Sequence, residues 1–177
     1  MTQEALSVDA GRTAVVIMDF QNGIVTPYGR DPQGTVERAA SVLTAARGAS
    51  IPVLYVQHRG GQFETDSTEA AIHPGVAPQP GDRVIVKTKA GSFSTTGLDV
   101  TLRELGRDTL VLMGVATSGC VLSTARWAAD INYRLVVVKD ACDDRDEEVH
   151  RVLTEKIFPR QATVVTAREF VAAAGKR

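Results

Sequence analysis

The sequence predicts an α/β protein: a parallel sheet covered by helices on both sides. Three observations predict it. Six short runs are rich in β-branched residues and apolar on both faces, as strands buried on two sides are. Stretches with helical apolar spacing fill most of the gaps between them. Strand and helix alternate along the chain, which calls for right-handed crossovers within one sheet.

The first strand is read at 13–19 (TAVVIMD), an apolar run that ends in an acid. A break follows at 21–34, which holds Pro27, Gly29, Pro32 and Gly34. Val36, Ala39, Ala40, Leu43 and Ala46 then recur at helical spacing, and Gly48 is a stop signal before the second strand at 51–56. A second break, 57–83, is rich in Gly and Pro and leads to the third strand at 84–87. Leu98, Leu102 and Leu105 form the next helical stripe, closed by Gly106. The fourth strand is read at 109–113, and Val121, Leu122, Ala125, Ala128 and Ala129 predict the helix after it. The fifth strand is read at 135–138, followed by a stripe of Val149, Val152, Leu153 and Ile157 with Pro159 beyond its end. A sixth strand at 162–166 and a short helix at 169–174 complete the pattern. Both breaks follow strands. In open α/β sheets the ligand crevice lies at the carboxyl ends of the strands, so both breaks are expected to border it.

A length of 177 residues, with 44% apolar and 23% charged side chains, suits a single domain over 1–177 with an ordinary core. The net charge of −1 and an aromatic content of 5% argue against a general nucleic-acid partner. No apolar run is long enough to cross a bilayer, and the first residues lack the pattern of a secretory signal. Two cysteines are too few for a disulfide scaffold. The expectation is a cytoplasmic protein with reduced thiols and no membrane partner.

Cys120 is the sharpest candidate for chemistry. It lies where the fourth strand gives way to a helix. The amides and positive dipole end of a helix N-terminus favour a thiolate, so the location predicts a lowered thiol pKa and an adjacent oxyanion site. The alternative is a buried structural cysteine. Cys142, among the acids of 140–146, reads as inert. Asp19, at the end of an apolar strand, reads either as a partly desolvated general base or as a loop cap. Lys87 ends the third strand and could hold a carboxylate or reach solvent. Lys89 competes with it, because alternation puts both on one face of an extended segment. His58 follows the second strand and reads as a structural or substrate-side histidine.

No metal-ligand spacing and no Gly-rich nucleotide signature is present, so neither a metal nor a cofactor is expected. Phe20, Gln21, His58, Phe93, Val115 and Trp127 are candidate substrate-binding residues, and Arg59 is a candidate partner for a substrate carboxylate.

An Asp after strand one, a Lys after strand three and a Cys at the helix after strand four together resemble the isochorismatase-like cysteine hydrolases. The segments that carry the resemblance are VVIMDFQ at 15–21, VIVKTKAGSF at 84–93 and GVATSGCV at 114–121, with Asp140, Cys142 and His150 downstream. The resemblance spans nearly the whole chain. It implies a three-layer fold on a six-stranded parallel sheet of order 3-2-1-4-5-6, with Asp19 and Cys120 facing each other across the crevice. It implies Asp19, Lys87 and Cys120 as the catalytic set, and the spacing from Lys87 to the Gly91–Ser92–Phe93 element selects Lys87 over Lys89. It further implies a cis peptide at Val115–Ala116, with the amides of Ala116 and Cys120 as an oxyanion hole.

Two departures from family members stand out. Val56 occupies the place of the Asp that metal-binding nicotinamidases carry before His58, which argues against bound zinc and nicotinamidase activity. The retained Cys120 favours amide hydrolysis over vinyl-ether cleavage. The implied activity is therefore cleavage of a small carboxamide or ureido C–N bond through a thioester, by a homo-oligomer, either a dimer or a tetramer. Hydrolysis of a non-amide bond and a non-catalytic binding module on the same fold are the rival readings.

Overall fold

A computed structural model describes residues 6–64 and 67–175. Its core is a six-stranded parallel sheet: β1 (Thr13–Met18), β2 (Val53–His58), β3 (Arg83–Lys87), β4 (Thr109–Val115), β5 (Arg134–Asp143) and β6 (Thr163–Val165). The order is β3-β2-β1-β4-β5-β6. The helices are α1 (Asn22–Tyr28), α2 (Pro32–Gly48), α3 (Leu98–Glu104), α4 (Leu122–Asp130), α5 (Glu147–Val152) and α6 (Ala167–Ala174). β1 lies at the centre with every residue buried, which is why all six of its positions are apolar or hydrogen-bonded. Its neighbours are β2 and β4, so the chain reverses its winding direction between β1 and β4. That switch point opens the crevice in which this fold class binds ligands. Among the described residues, no helix is long and apolar enough to cross a membrane.

The structure departs from the sequence expectation at four places. Residues 22–28 form a helix within the predicted break. Seven residues make fewer than two turns, too few to show a period, and Pro27 masks the signal further. β3 is not covered on both faces: it is an edge strand, and Val84 and Val86 are 46% and 49% exposed.

β5 runs on to Asp143. Leu112 pairs with Val137 but Gly114 pairs with Cys142, so a bulge lies between those pairs. The bulge returns Cys142 and Asp143 to the end of β4. Finally, the stripe at 149–157 splits at Val152, where α5 gives way to a π-turn (Leu153–Ile157). A 3-10 turn (Phe158–Arg160) follows and contains Pro159.

Candidate active site

The site forms at the carboxyl ends of β1, β3 and β4. The chain leaves β1 through Asp19, whose φ of 57° is left-handed. Aspartate tolerates that region better than most residues. Its amide still donates to the Val56 carbonyl at 2.9 Å. β4 ends in Val115, and the Val115–Ala116 peptide is cis. A π-turn (Thr117–Val121) then carries Cys120 into α4. Gly114 makes this close approach possible, because a Cβ there would lie 3.0 Å from the Cys120 Sγ.

Lys87 comes from β3, two strands away, and is fully buried. Its Nζ donates to Asp19 Oδ2 at 2.7 Å and to the Ala90 carbonyl at 2.6 Å. Lys89 lies past the end of the strand and is exposed, so the alternation that made it a competitor stops before it. Ser92 and Thr124 tie the segment after Lys87 to α4. The Ser92 amide donates to Thr124 Oγ1, and Thr124 Oγ1 donates to Ser92 Oγ, each at 3.0 Å.

Asp19 Oδ1 is buried and has no hydrogen-bond partner among the described residues. Burial raises the Asp19 pKa above the ordinary carboxylate value, and the Lys87 ammonium only partly offsets that. The Cys120 thiol is 3% exposed and donates weakly to the Ala116 carbonyl at 3.6 Å. Its pKa lies well above the ordinary thiol value, first because of burial and then because the Asp19 carboxylate is close by. The expectation of a lowered thiol pKa is thus overturned. Desolvation and the neighbouring negative charge outweigh the amides of a turn that is only five residues long. Asp19 and Cys120 therefore sit within mutual electrostatic reach, with the proton held on sulfur.

Polar side chains brace the π-turn from behind. Thr117 Oγ1 lies 3.0 Å from the Asp143 carbonyl and 2.8 Å from His150 Nδ1. A carbonyl only accepts, so the hydroxyl proton goes to Asp143 and His150 Nδ1 must be the donor. Burial lowers the His150 pKa, which agrees with a neutral ring. The Ser118 amide donates to Asp144 Oδ2 at 2.8 Å. Asp143 Oδ2 accepts from the amides of Arg30 and Asp31, each at 2.8 Å, and so joins the α1–α2 link to the same end of the sheet.

A cavity of about 260 Å³ opens onto these groups. Asp19, Lys87, Cys120 and His58 give it polar lining, and Ile24, Phe63, Val115 and Ala116 give it apolar lining. Tyr28, Ala90 and Gly119 complete it.

Several expected substrate contacts are not part of this lining. Gln21 is buried as a clamp. Its Nε2 donates to the carbonyls of His58 and Ala70, and its Oε1 accepts from the His58 amide. Phe20 is buried in the core, and Phe93 packs with its ring centroid 5.9 Å from that of Tyr133. Trp127 is 49% exposed on α4. Arg59 lines a separate cleft with Ser67 and Thr68, and its Nη2 lies 3.4 Å from Gln57 Oε1. Ile24, Tyr28 and Phe63 went unnoticed because they come from the two breaks, where no periodicity shows which way a side chain faces.

The buried Asp19–Lys87 pair thus lies beside the Cys120 thiol at the switch point of the sheet. The model of the isochorismatase domain matches residues 13–169, and the chain belongs to that family of hydrolases. An isochorismatase family protein from Burkholderia thailandensis has a similar solved structure. It is 33% identical, with a TM-score of 0.85, over 95% of this chain and 97% of that one. N-carbamoylsarcosine amidase from Thermoplasma acidophilum is 30% identical with a TM-score of 0.76, over 88% of this chain and 96% of that one. Maleamate amidohydrolase from Pseudomonas putida is 31% identical over 89% of this chain and 84% of its own length.

Proposed function

We propose that the protein is a cysteine-dependent amidohydrolase that cleaves a small carboxamide or ureido C–N bond. One observation carries the reading: Asp19 has one oxygen held by a buried ammonium and the other unpartnered, beside a buried thiol. The names of the amidase and amidohydrolase relatives support the bond type.

In this reading Asp19 Oδ1 takes the proton from Cys120 as Sγ attacks the carbonyl carbon. Because the thiol pKa is raised, proton transfer accompanies attack instead of preceding it. The amides of Ala116 and Cys120 receive the oxyanion, and one such donor is worth about 3 kcal/mol of barrier. Asp19 passes its proton to the leaving nitrogen, the C–N bond breaks and a thioester forms. Water then attacks the thioester, losing a proton to Asp19, and the proton returns to sulfur as the C–S bond breaks. Lys87 keeps its charge throughout. It holds Oδ2 and leaves Oδ1 as the oxygen that faces the reaction.

Ammonia release from a panel of small amides tests this. Cys120→Ala should remove turnover while far-UV circular dichroism stays unchanged. Turnover at the parent rate in Cys120→Ala would exclude the mechanism.

A further inference from the structure

We infer that the acyl part of the substrate is uncharged and largely apolar, carrying no carboxylate. The inference rests on the amidohydrolase reading and narrows its substrate class.

The charge around the cavity is already balanced. Lys87 contributes the ammonium in the lining and Asp19 the carboxylate, and the two are paired at 2.7 Å. The Ala90 carbonyl takes a second Lys87 proton. A substrate carboxylate would therefore bring a net negative charge into a small space walled by Ile24, Phe63, Val115 and Ala116. Burying a carboxylate without a dedicated partner is strongly unfavourable. It would also face Asp19 Oδ1, which has no partner of its own.

The arginines near the entrance do not compensate. Arg145 lies over the Tyr28 ring at 5.5 Å and gives Nε and Nη2 to the Pro27 carbonyl. Arg30 pairs with Glu147 at 3.0 Å. Arg59 lines the neighbouring cleft. His58 is the other basic side chain in the lining among the described residues, and its ring meets that of Phe63 edge-on, with centroids 5.6 Å apart. The cavity of about 260 Å³ suits a compact group.

Two measurements at pH 8 test the inference. In the first, alkylation of Cys120 by iodoacetamide and by iodoacetate is followed by peptide mass, with 2-mercaptoethanol as the reference thiol. The neutral reagent should be preferred at least tenfold more than the reference prefers it. A preference equal to the reference, or reversed, would overturn the inference. In the second, hydrolysis of 4-methylpentanamide is compared with that of succinamate, in which a carboxylate replaces the isopropyl group. The neutral amide should have a kcat/KM at least tenfold higher, and equal or reversed values would again overturn the inference. Selective alkylation with neither amide cleaved upholds the uncharged cavity and counts against the amidohydrolase reading. Unselective alkylation with succinamate cleaved does the opposite. If Cys120 resists both reagents, the amide pair decides. If nothing reacts, both proposals fall.

Discussion

Gly114→Ala probes whether the thiol position depends on a missing side chain. The added Cβ would lie 3.0 Å from Cys120 Sγ, 3.0 Å from the Met18 carbonyl oxygen and 3.1 Å from Met18 Cβ. Contacts this close force a neighbour to give by a few tenths of an ångström. Met18 belongs to β1 at the sheet centre and pairs with Gly114 itself, so it has little freedom to move. The sulfur is the group that gives. Overpacking of this kind costs about 1–3 kcal/mol. In a chain of this size that lowers Tm by roughly 3–10 °C. A misplacement of about 1 Å at a reacting atom costs about 100-fold in rate, so a shift of a few tenths should cost about tenfold in kcat/KM. Amide hydrolysis, iodoacetamide alkylation of Cys120 and thermal unfolding are the assays. Gly48→Ala is the control, because a Cβ there meets nothing within 4 Å. Parent values of Tm, alkylation rate and kcat/KM in Gly114→Ala would refute the packing account.

Lys87→Met removes the ammonium that holds Asp19. The Asp19 pKa, already raised by burial, should rise further, so the acid limb of the kcat/KM profile moves to higher pH and activity at neutral pH falls by about 100-fold or more. Lys89→Met should stay near the parent rate, and a pH series on both variants checks the contrast. Cys142 is one of the buried groups that make stability fall in alkali. Burial first, together with Asp140 and Asp143, pushes its pKa up to about 12 against 9.0 for the ordinary thiol. Its contribution is intact below pH 9 and lost as pH rises from 9 through 12, reaching about 1.4 kcal/mol by pH 10. Chemical denaturation from pH 8 to 10 should therefore show a shallower decline for Cys142→Ala than for the parent.

The layered fold was legible because buried parallel strands leave apolar runs of four to seven residues with helical stripes between them. The sheet order came from the resemblance, since the alternation of strand and helix does not say which strands are neighbours. Asp19, Lys87 and Cys120 stood out because each ends a strand or starts a helix, where sequence position alone puts a residue near the crevice. Other features depended on contacts between distant segments. Gln21 lies two residues after Asp19, but the left-handed turn at Asp19 sends it into the backbone around His58 and Ala70. The thiol pKa follows the burial of Cys120 and its closeness to Asp19, and a helix-start pattern shows neither. Trp127 sits on the face of α4 that points to solvent, a face the apolar stripe through Ala125 and Ala128 already leaves outside.

The most direct test of the central claim is intact-mass spectrometry of enzyme quenched during turnover of a good amide. The account predicts an adduct equal to the acyl group of the substrate, located on the peptide that carries Cys120 and absent from Cys120→Ala. Turnover at a normal rate with no such adduct at any quench time, together with full activity in Cys120→Ala, would contradict it.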